Sequence, residues 1–271
     1  MMLSAVTLCM VPESSAGPFV FHGDLGDGFR KAAEHGFDAV ELFLPGPAHV
    51  KLEEVRRLQA EYGLVVAAVG TGAGMVKHRL SLTDPDPSTR NAARIFLREM
   101  IRFGGELGAP AILGSMQGRC DASTPRAEAL GWLADALREA SDEARKHGVK
   151  FIYEPLNRYE TNLFNTASSA SGFLKSEQIS NVVLLADLFH MAIEERDIAD
   201  SLRSTGDLLG HVHWADSNRH AMGYGHTDVT PIANALIEIG YGGYLSAEVL
   251  PLPDADAAAA RTINSIREAF R

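Results

Sequence analysis

Eight short apolar runs, each followed by a stretch of helical periodicity, leave this chain few architectures. The runs are Leu3–Met10, Ala39–Phe43, Val65–Val69, Ala111–Ser115, Lys150–Glu154, Val182–Asp187, His211–Trp214 and Tyr244–Val249. They are nearly continuous in hydrophobicity, not alternating, as strands are when both faces of a parallel sheet are buried. Helical segments are expected at Leu25–Glu34, Lys51–Tyr62, Ser88–Leu107, Arg126–His147, Ser168–Lys175, Ile198–Ser204, Pro231–Ile239 and Ala257–Phe270. Gly36, Gly63, Gly108, Gly148, Gly210 and Gly240 stand where C-terminal glycine caps belong, and Ser88 and Thr230 where N-caps belong. A (β/α)8 TIM barrel needs about 250 residues, and residues 1–271 are read as one such α/β domain. The rival is an open doubly wound sheet, which would place a glycine-rich phosphate turn and a helix after an early strand. Gly70-Thr71-Gly72-Ala73-Gly74 supplies the glycines, but no helix is expected directly after it, so it reads as a loop at the barrel mouth.

Charge and cysteine content narrow the partners. The formal net charge is −10, and no Lys/Arg run marks a phosphate-backbone groove, which argues against nucleic acid. Two distant thiols, Cys9 and Cys120, suit a reducing compartment better than a disulfide framework. Met1–Val11 is apolar but carries no basic leader, and it falls far short of the ~20 residues of a membrane span. It reads as the first strand of a cytoplasmic protein with no membrane partner.

Four potential metal ligands stand at or near the ends of the last four runs: Glu154, Asp187, His213 and Glu248, spaced by 33, 26 and 35 residues. Each gap is about one strand plus one helix. Active sites of such barrels lie at the C-terminal ends of their strands, and neighbouring strands bring these side chains to one point. Three uncompensated carboxylates around a narrow apolar barrel would repel and lose hydration; one divalent cation removes that cost. A set of three oxygens and one nitrogen without thiolate suits Mn, Mg or Co better than a structural zinc, with zinc still open. Glu160 follows Glu154 by six residues, His190 follows Asp187 by three, and Arg219 follows His213 by six. His211, two before His213, shares its face of the strand and is expected to support it from behind.

These motifs carry a family resemblance. The chain resembles the xylose isomerase-like TIM-barrel sugar isomerases and epimerases, and within them the D-tagatose 3-epimerase-like ketose 3-epimerases. The resemblance rests on Glu-Pro-Leu-Asn-Arg-Tyr-Glu (154–160), Asp-Leu-Phe-His-Met-Ala-Ile-Glu-Glu (187–195), His-x-His-x-x-Asp-Ser-Asn-Arg (211–219), Gly-x-Gly-His-x-Asp (223–228), Ser-x-Glu (246–248) and Phe-Asp-Ala-Val-Glu-Leu (37–42). Gly70-Thr71-Gly72, Leu80-Ser81-Leu82-Thr83 and the segment 248–253 look most like the 5-keto-L-gluconate epimerase branch.

By motif, the resemblance implies metal ligation by Glu154, Asp187, His213 and Glu248. It implies acid/base roles for Glu154 and Glu248, substrate contacts from Glu160, His190 and Arg219, one divalent ion with manganese the first expectation, and a homodimer or tetramer. Leu188 replaces the family's usual Thr, and Ala221-Met222 its common Pro-Gly, which bears on the loop after the seventh strand.

The expected chemistry is inversion of the carbon beside a ketone, through an enediolate, in a sugar or sugar acid such as 5-keto-L-gluconate or D-tagaturonate. If the substrate is a keto-uronate, His78, Arg79, Arg119 and Arg219 are the candidate partners of its carboxylate. An aldose–ketose or hydroxypyruvate isomerase would use the same two glutamates. AP endonuclease IV shares the barrel but needs further His ligands for three metals, and the third and fourth runs carry no His. A sugar-binding protein without catalysis would not need both acid/base carboxylates.

Overall fold

The computed structural model describes residues 2–271. Among these residues nine strands form one parallel sheet: β1 (Leu3–Cys9), β2 (Phe21–His22), β3 (Ala39–Phe43), β4 (Val65–Gly70), β5 (Ala111–Leu113), β6 (Phe151–Tyr153), β7 (Val182–Asp187), β8 (Leu209–His213) and β9 (Tyr244–Ala247). Consecutive strands from β3 to β9 pair in order, β1 pairs with β3, and pairing of β1 with β9 closes the ring. Eight of the nine therefore form the predicted (β/α)8 barrel. The ninth, β2, was not expected. It pairs with Leu8 and Cys9, on the length of β1 that extends past its pairing with β9 at Leu3–Val6.

The surrounding helices are α1 (Leu25–His35), α2 (Leu52–Tyr62), α3 (Ala73–Val76), α4 (Pro87–Glu106), α5 (Arg126–Lys146), α6 (Ala167–Ser176), α7 (Leu188–Glu194), α8 (Ile198–Thr205), α9 (Val229–Glu238) and α10 (Ala255–Ala269). Among the described residues no helix is long and apolar enough to cross a membrane. The eight expected helices fall within a few residues of their predicted bounds.

Three local expectations are corrected and one short helix is added. A one-turn helix, α3, does open at Ala73, inside the glycine cluster that was read as a plain loop. A second short helix, α7, follows β7 directly, because Asp187 caps it. The N-caps of α4 and α9 are Asp86 and Asp228, whose carboxylates accept from Ser88 N and Thr230 N, so the predicted caps are the groups being capped. Gly210 is no cap: it lies within β8, where a Cβ would stand 2.2 Å from Val183 Cγ2 on the next strand. The other five glycines do follow their helices in left-handed conformation.

Two packing layers result. Outside the sheet, apolar strand residues such as Leu8, Leu42 and Val66 pack on helix residues such as Phe29, Val55 and Leu58. Each fully buried side chain of this kind contributes roughly 1.5–3 kcal/mol. Ala68, Ile112, Ile152 and Leu185 form a separate cluster of strand residues only. The barrel interior also holds polar groups. Glu41 on β3 meets His211 on β8, and those strands are separated by β1 and β9, so the contact crosses the interior.

Candidate active site and metal centre

The expected ligands converge. Asp187 ends β7, and its Oδ1 accepts from Phe189 N at 2.8 Å and His190 N at 3.4 Å as the cap of α7. That leaves Oδ2 directed into the barrel mouth. His213 ends β8, with Nδ1 3.5 Å from Asp187 Oδ2, 3.7 Å from Glu154 Oε1 and 3.8 Å from Glu248 Oε2. Glu154 and Glu248 each lie one residue beyond their strands. Gly114, after β5, admits Glu154: a Cβ there would stand 2.6 Å from Glu154 Oε2. Arg219 Nη2 donates to Glu248 Oε1 at 2.8 Å.

The donor set fits a cation. Glu154, Asp187 and His213 each offer a ligand atom, all within 4.8 Å of one another. Asp187 Oδ2 and His213 Nδ1 are buried and have no hydrogen-bond partner, a costly state unless something else satisfies them. Protonation follows from the crowding. Burial, reinforced by Glu248, Asp187 and Glu160, pushes the Glu154 carboxyl well above the usual range. Burial also raises Glu248, although His213 and Arg219 oppose it. Burial works against the Asp187 charge as well, but His190, His213 and Arg219 hold that carboxyl well below its ordinary value. Oxygen ligands with an imidazole suit a hard or borderline divalent ion.

The three residues expected to contact substrate line the same cleft. His190 Nδ1 accepts from Asn157 N at 3.4 Å and Asn157 Nδ2 at 2.7 Å, while Asn157 Oδ1 accepts from Tyr159 N at 3.0 Å. These bonds orient the amide and place the imidazole proton on Nε2. Burial lowers the His190 pKa, although Asp187 and Glu160 oppose it. Its Nε2–H lies 3.7 Å from Asp187 Oδ2, 3.9 Å from Glu160 Oε1 and 4.0 Å from Glu154 Oε1. All three are too distant for a good hydrogen bond, which leaves a donor aimed into the cleft. Glu160 reaches Arg219 at 3.5 Å and is more exposed than the ligands.

Arg219 is held by its loop. Its φ is 63°, an unusual left-handed conformation for a non-glycine residue. Its guanidinium lies 4.8 Å over the Phe189 ring. The loop is organised by Asp216, which is fully buried. Asp216 accepts from Ser217 N, Gly223 N, Gly225 N and Thr227 N at 2.7–3.0 Å. Although burial opposes its charge, these donors lower its pKa to about 2. The stabilisation is therefore complete above the ordinary carboxylate pKa and is lost as pH falls towards 2. Replacing Asp216 with Asn should cost about 2–3 kcal/mol, the scale of buried hydrogen bonds to a charged group. Denaturant melts at neutral pH measure this, and a change below 0.5 kcal/mol would contradict it.

The remaining expectations divide. His211 is buried, with Nε2 2.8 Å from Glu41 Oε2. His78 donates to Pro45 O at 2.8 Å, Arg119 donates to Tyr159 O at 3.0 Å, and Arg79 is exposed with φ 55°. None of these three is among the residues lining the cleft. Sequence reasoning gave no role to Glu41, Asn157 or Asp216. The signal for Glu41 was available: a charged residue in the middle of the apolar run Ala-Val-Glu-Leu-Phe.

The cleft has a volume of about 330 Å³. Phe19 and Phe43, with ring centroids 4.5 Å apart, form part of its wall together with Ile112 and Leu156. Against known proteins, the model of the xylose isomerase-like TIM barrel family matches residues 29–269. A D-psicose 3-epimerase of Ruminiclostridium cellulolyticum is 32% identical over 221 residues, covering 79% of this chain and 74% of that protein. A 3-dehydro-D-guloside 4-epimerase of Escherichia coli is 32% identical over 228 residues, covering 80% and 84%. The structure of a D-allulose 3-epimerase from Methylomonas sp. in complex with D-allulose superposes with a TM-score of 0.80 at 24% identity, covering 100% of both chains. That likeness establishes the fold.

Proposed function

This chain belongs to the xylose isomerase-like TIM barrel family, and from that premise we propose that it is a divalent-metal-dependent epimerase inverting the carbon beside the ketone of a neutral ketose. The observation that carries this reading is a set of three buried polar atoms without partners. Asp187 Oδ2, His213 Nδ1 and His190 Nε2 gather at one point, which Glu154 and Glu248 also approach. The relatives support the reaction class, since their names specify 3- and 4-epimerases of sugars.

Glu154, Asp187, His213 and Glu248 would hold a divalent cation, whose Lewis acidity would lower the cost of negative charge on the ketone oxygen. The chain's own groups do the rest. Glu154 follows β6 and Glu248 follows β9, with β7 and β8 between them, so the two carboxylates approach the cleft from different sides. One takes the proton from the carbon beside the ketone, and the other returns a proton to the opposite face, which inverts the centre. Their mutual proximity makes the two protonation states properties of the pair. His190 Nε2–H donates to a substrate oxygen, a fixed dipole needing no reorganisation. Arg219 orients Glu248 through its 2.8 Å bond, and Glu160 accepts from a substrate hydroxyl.

The charge of the cleft favours a neutral sugar over a keto-uronate. Arg219 is the single Lys or Arg among the described lining residues, against Glu154, Glu160 and Glu248, while Glu13 is paired with Lys77 and Glu41 with His211. Its guanidinium already serves Glu248 and Glu160. Apart from the metal, which the ketone oxygen would occupy, a substrate carboxylate would find no free cation in the cleft, and like charges brought together there cost several kcal/mol. The expected result is a kcat/KM at least about 100-fold higher for free ketopentoses or ketohexoses than for keto-uronates. A panel of both in deuterated buffer, followed by NMR, tests the substrate and the reaction together. Deuterium at the inverted carbon supports epimerisation. Label at C1 or C2 without inversion would point to an isomerase, and preference for the keto-uronates would reverse the substrate assignment.

A further inference from the structure

Glu41 lies directly beneath the proposed metal centre. Its carboxylate is almost completely buried in the barrel interior and touches three polar side chains. Oε2 lies 2.8 Å from His211 Nε2 and 3.4 Å from His213 Nε2, and Oε1 accepts from Thr7 Oγ1 at 3.3 Å. A carboxylate buried in this way is costly unless its acceptor sites are filled. Here β1, β3 and β8 supply the groups that fill them. The bond to His213 has a chemical consequence. An imidazole that donates from Nε2 keeps a lone pair on Nδ1, and His213 Nδ1 is the atom facing Asp187, Glu154 and Glu248.

We propose that Glu41, braced by His211 and Thr7, is a positioning residue that fixes His213 in the tautomer and orientation needed to ligate the metal. The inference rests on the metal centre proposed above. Glu41 itself is not a ligand. Its oxygens are occupied by the two imidazoles and a hydroxyl on the side of His213 remote from the cluster. The carboxylate acts through the ring, raising its basicity as well as aiming it. The 83° angle between the His211 and His213 rings lets both reach the same oxygen edge-on.

Two substitutions separate contact from charge. Glu41→Gln keeps the shape and can still turn its amide oxygen to the two imidazoles and its NH2 to Thr7 Oγ1, but it removes the negative charge that raises the basicity of His213. Glu41→Asp keeps the charge and withdraws it by one methylene. Both are expected to weaken Mn2+ binding by about 10–100-fold, the usual cost of losing the partner of a metal-bound histidine. Competition with a fluorescent chelator measures this on the metal-free proteins.

In the Zn2+-loaded unsubstituted protein, 15N-edited NMR should show a proton on His213 Nε2, protected from exchange. That readout does not require the variants to fold. Native Mn2+ affinity in either variant, or a His213 Nε2 proton that exchanges freely, would overturn this inference alone. Absence of stoichiometric Mn2+ binding by the unsubstituted protein would overturn the metal centre and this inference with it.

Discussion

Glu154→Gln and Glu248→Gln are each expected to lower kcat for epimerisation by about 10³-fold or more. Positioned general acid–base catalysis contributes 10²–10⁴-fold, and each glutamine also replaces a negatively charged ligand with a neutral one. The two variants should nevertheless differ in what they retain. With carboxylates on opposite faces of the substrate, each glutamate serves as the base for one epimer and as the acid for the other. A variant lacking one glutamate can still remove and restore the proton of the epimer that faces the remaining one. In deuterated buffer, each variant should slowly exchange the proton of one epimer, a different one in each case, without inverting it. Near-native inversion by either variant, or exchange of the same epimer by both, would sink the two-base assignment. The shared environment gives this prediction its strength. Both carboxyls are raised by burial, so neither is an ordinary surface acid whose loss water could replace.

The barrel and the convergence of Glu154, Asp187, His213 and Glu248 were legible in the sequence for a common reason: both are written as period. Continuous apolar runs at intervals of one strand plus one helix report a parallel barrel, and polar residues closing those runs report its mouth. What escaped depends on contacts between elements distant in sequence. Glu41 is 170 residues from His211, and no spacing rule links a residue in the middle of one strand with a histidine across the barrel. Asp216 lies within the motif 211–219, but its role depends on the backbone of residues 217–227 folding around its carboxylate. β2 spans only two residues and borrows an edge that exists only where β9 stops. The arginines considered for a substrate carboxylate illustrate the converse. Arg79 and Arg119 belong to loops at the correct end of the barrel, but loop membership does not determine direction, and neither lines the cleft.

Removing the divalent ion should reduce turnover to background and lower the melting temperature, with both restored by Mn2+. The same cluster underlies both effects. Without a cation, Glu154, Asp187 and Glu248 crowd around one imidazole, and Asp187 Oδ2 and His213 Nδ1 have no partner. An ion present at 100 times its Kd stabilises the folded state by about 2.7 kcal/mol. For a chain of this size that corresponds to roughly 5–10 °C in melting temperature.

The pH dependence has a definite sign. Burial raises the Glu154 and Glu248 carboxyls in the metal-free protein, so they retain protons at pH values where exposed carboxylates have lost theirs. Binding must expel those protons. Affinity should therefore rise with pH through and above the ordinary carboxylate range, and metal uptake should release protons. Calorimetry in buffers of different ionisation enthalpy counts them. An affinity independent of pH, or turnover that survives chelation, would show that these buried carboxylates serve one another and not an ion. The geometry argues against that outcome, because Asp187 Oδ2 and His213 Nδ1 are buried and have no hydrogen-bond partner.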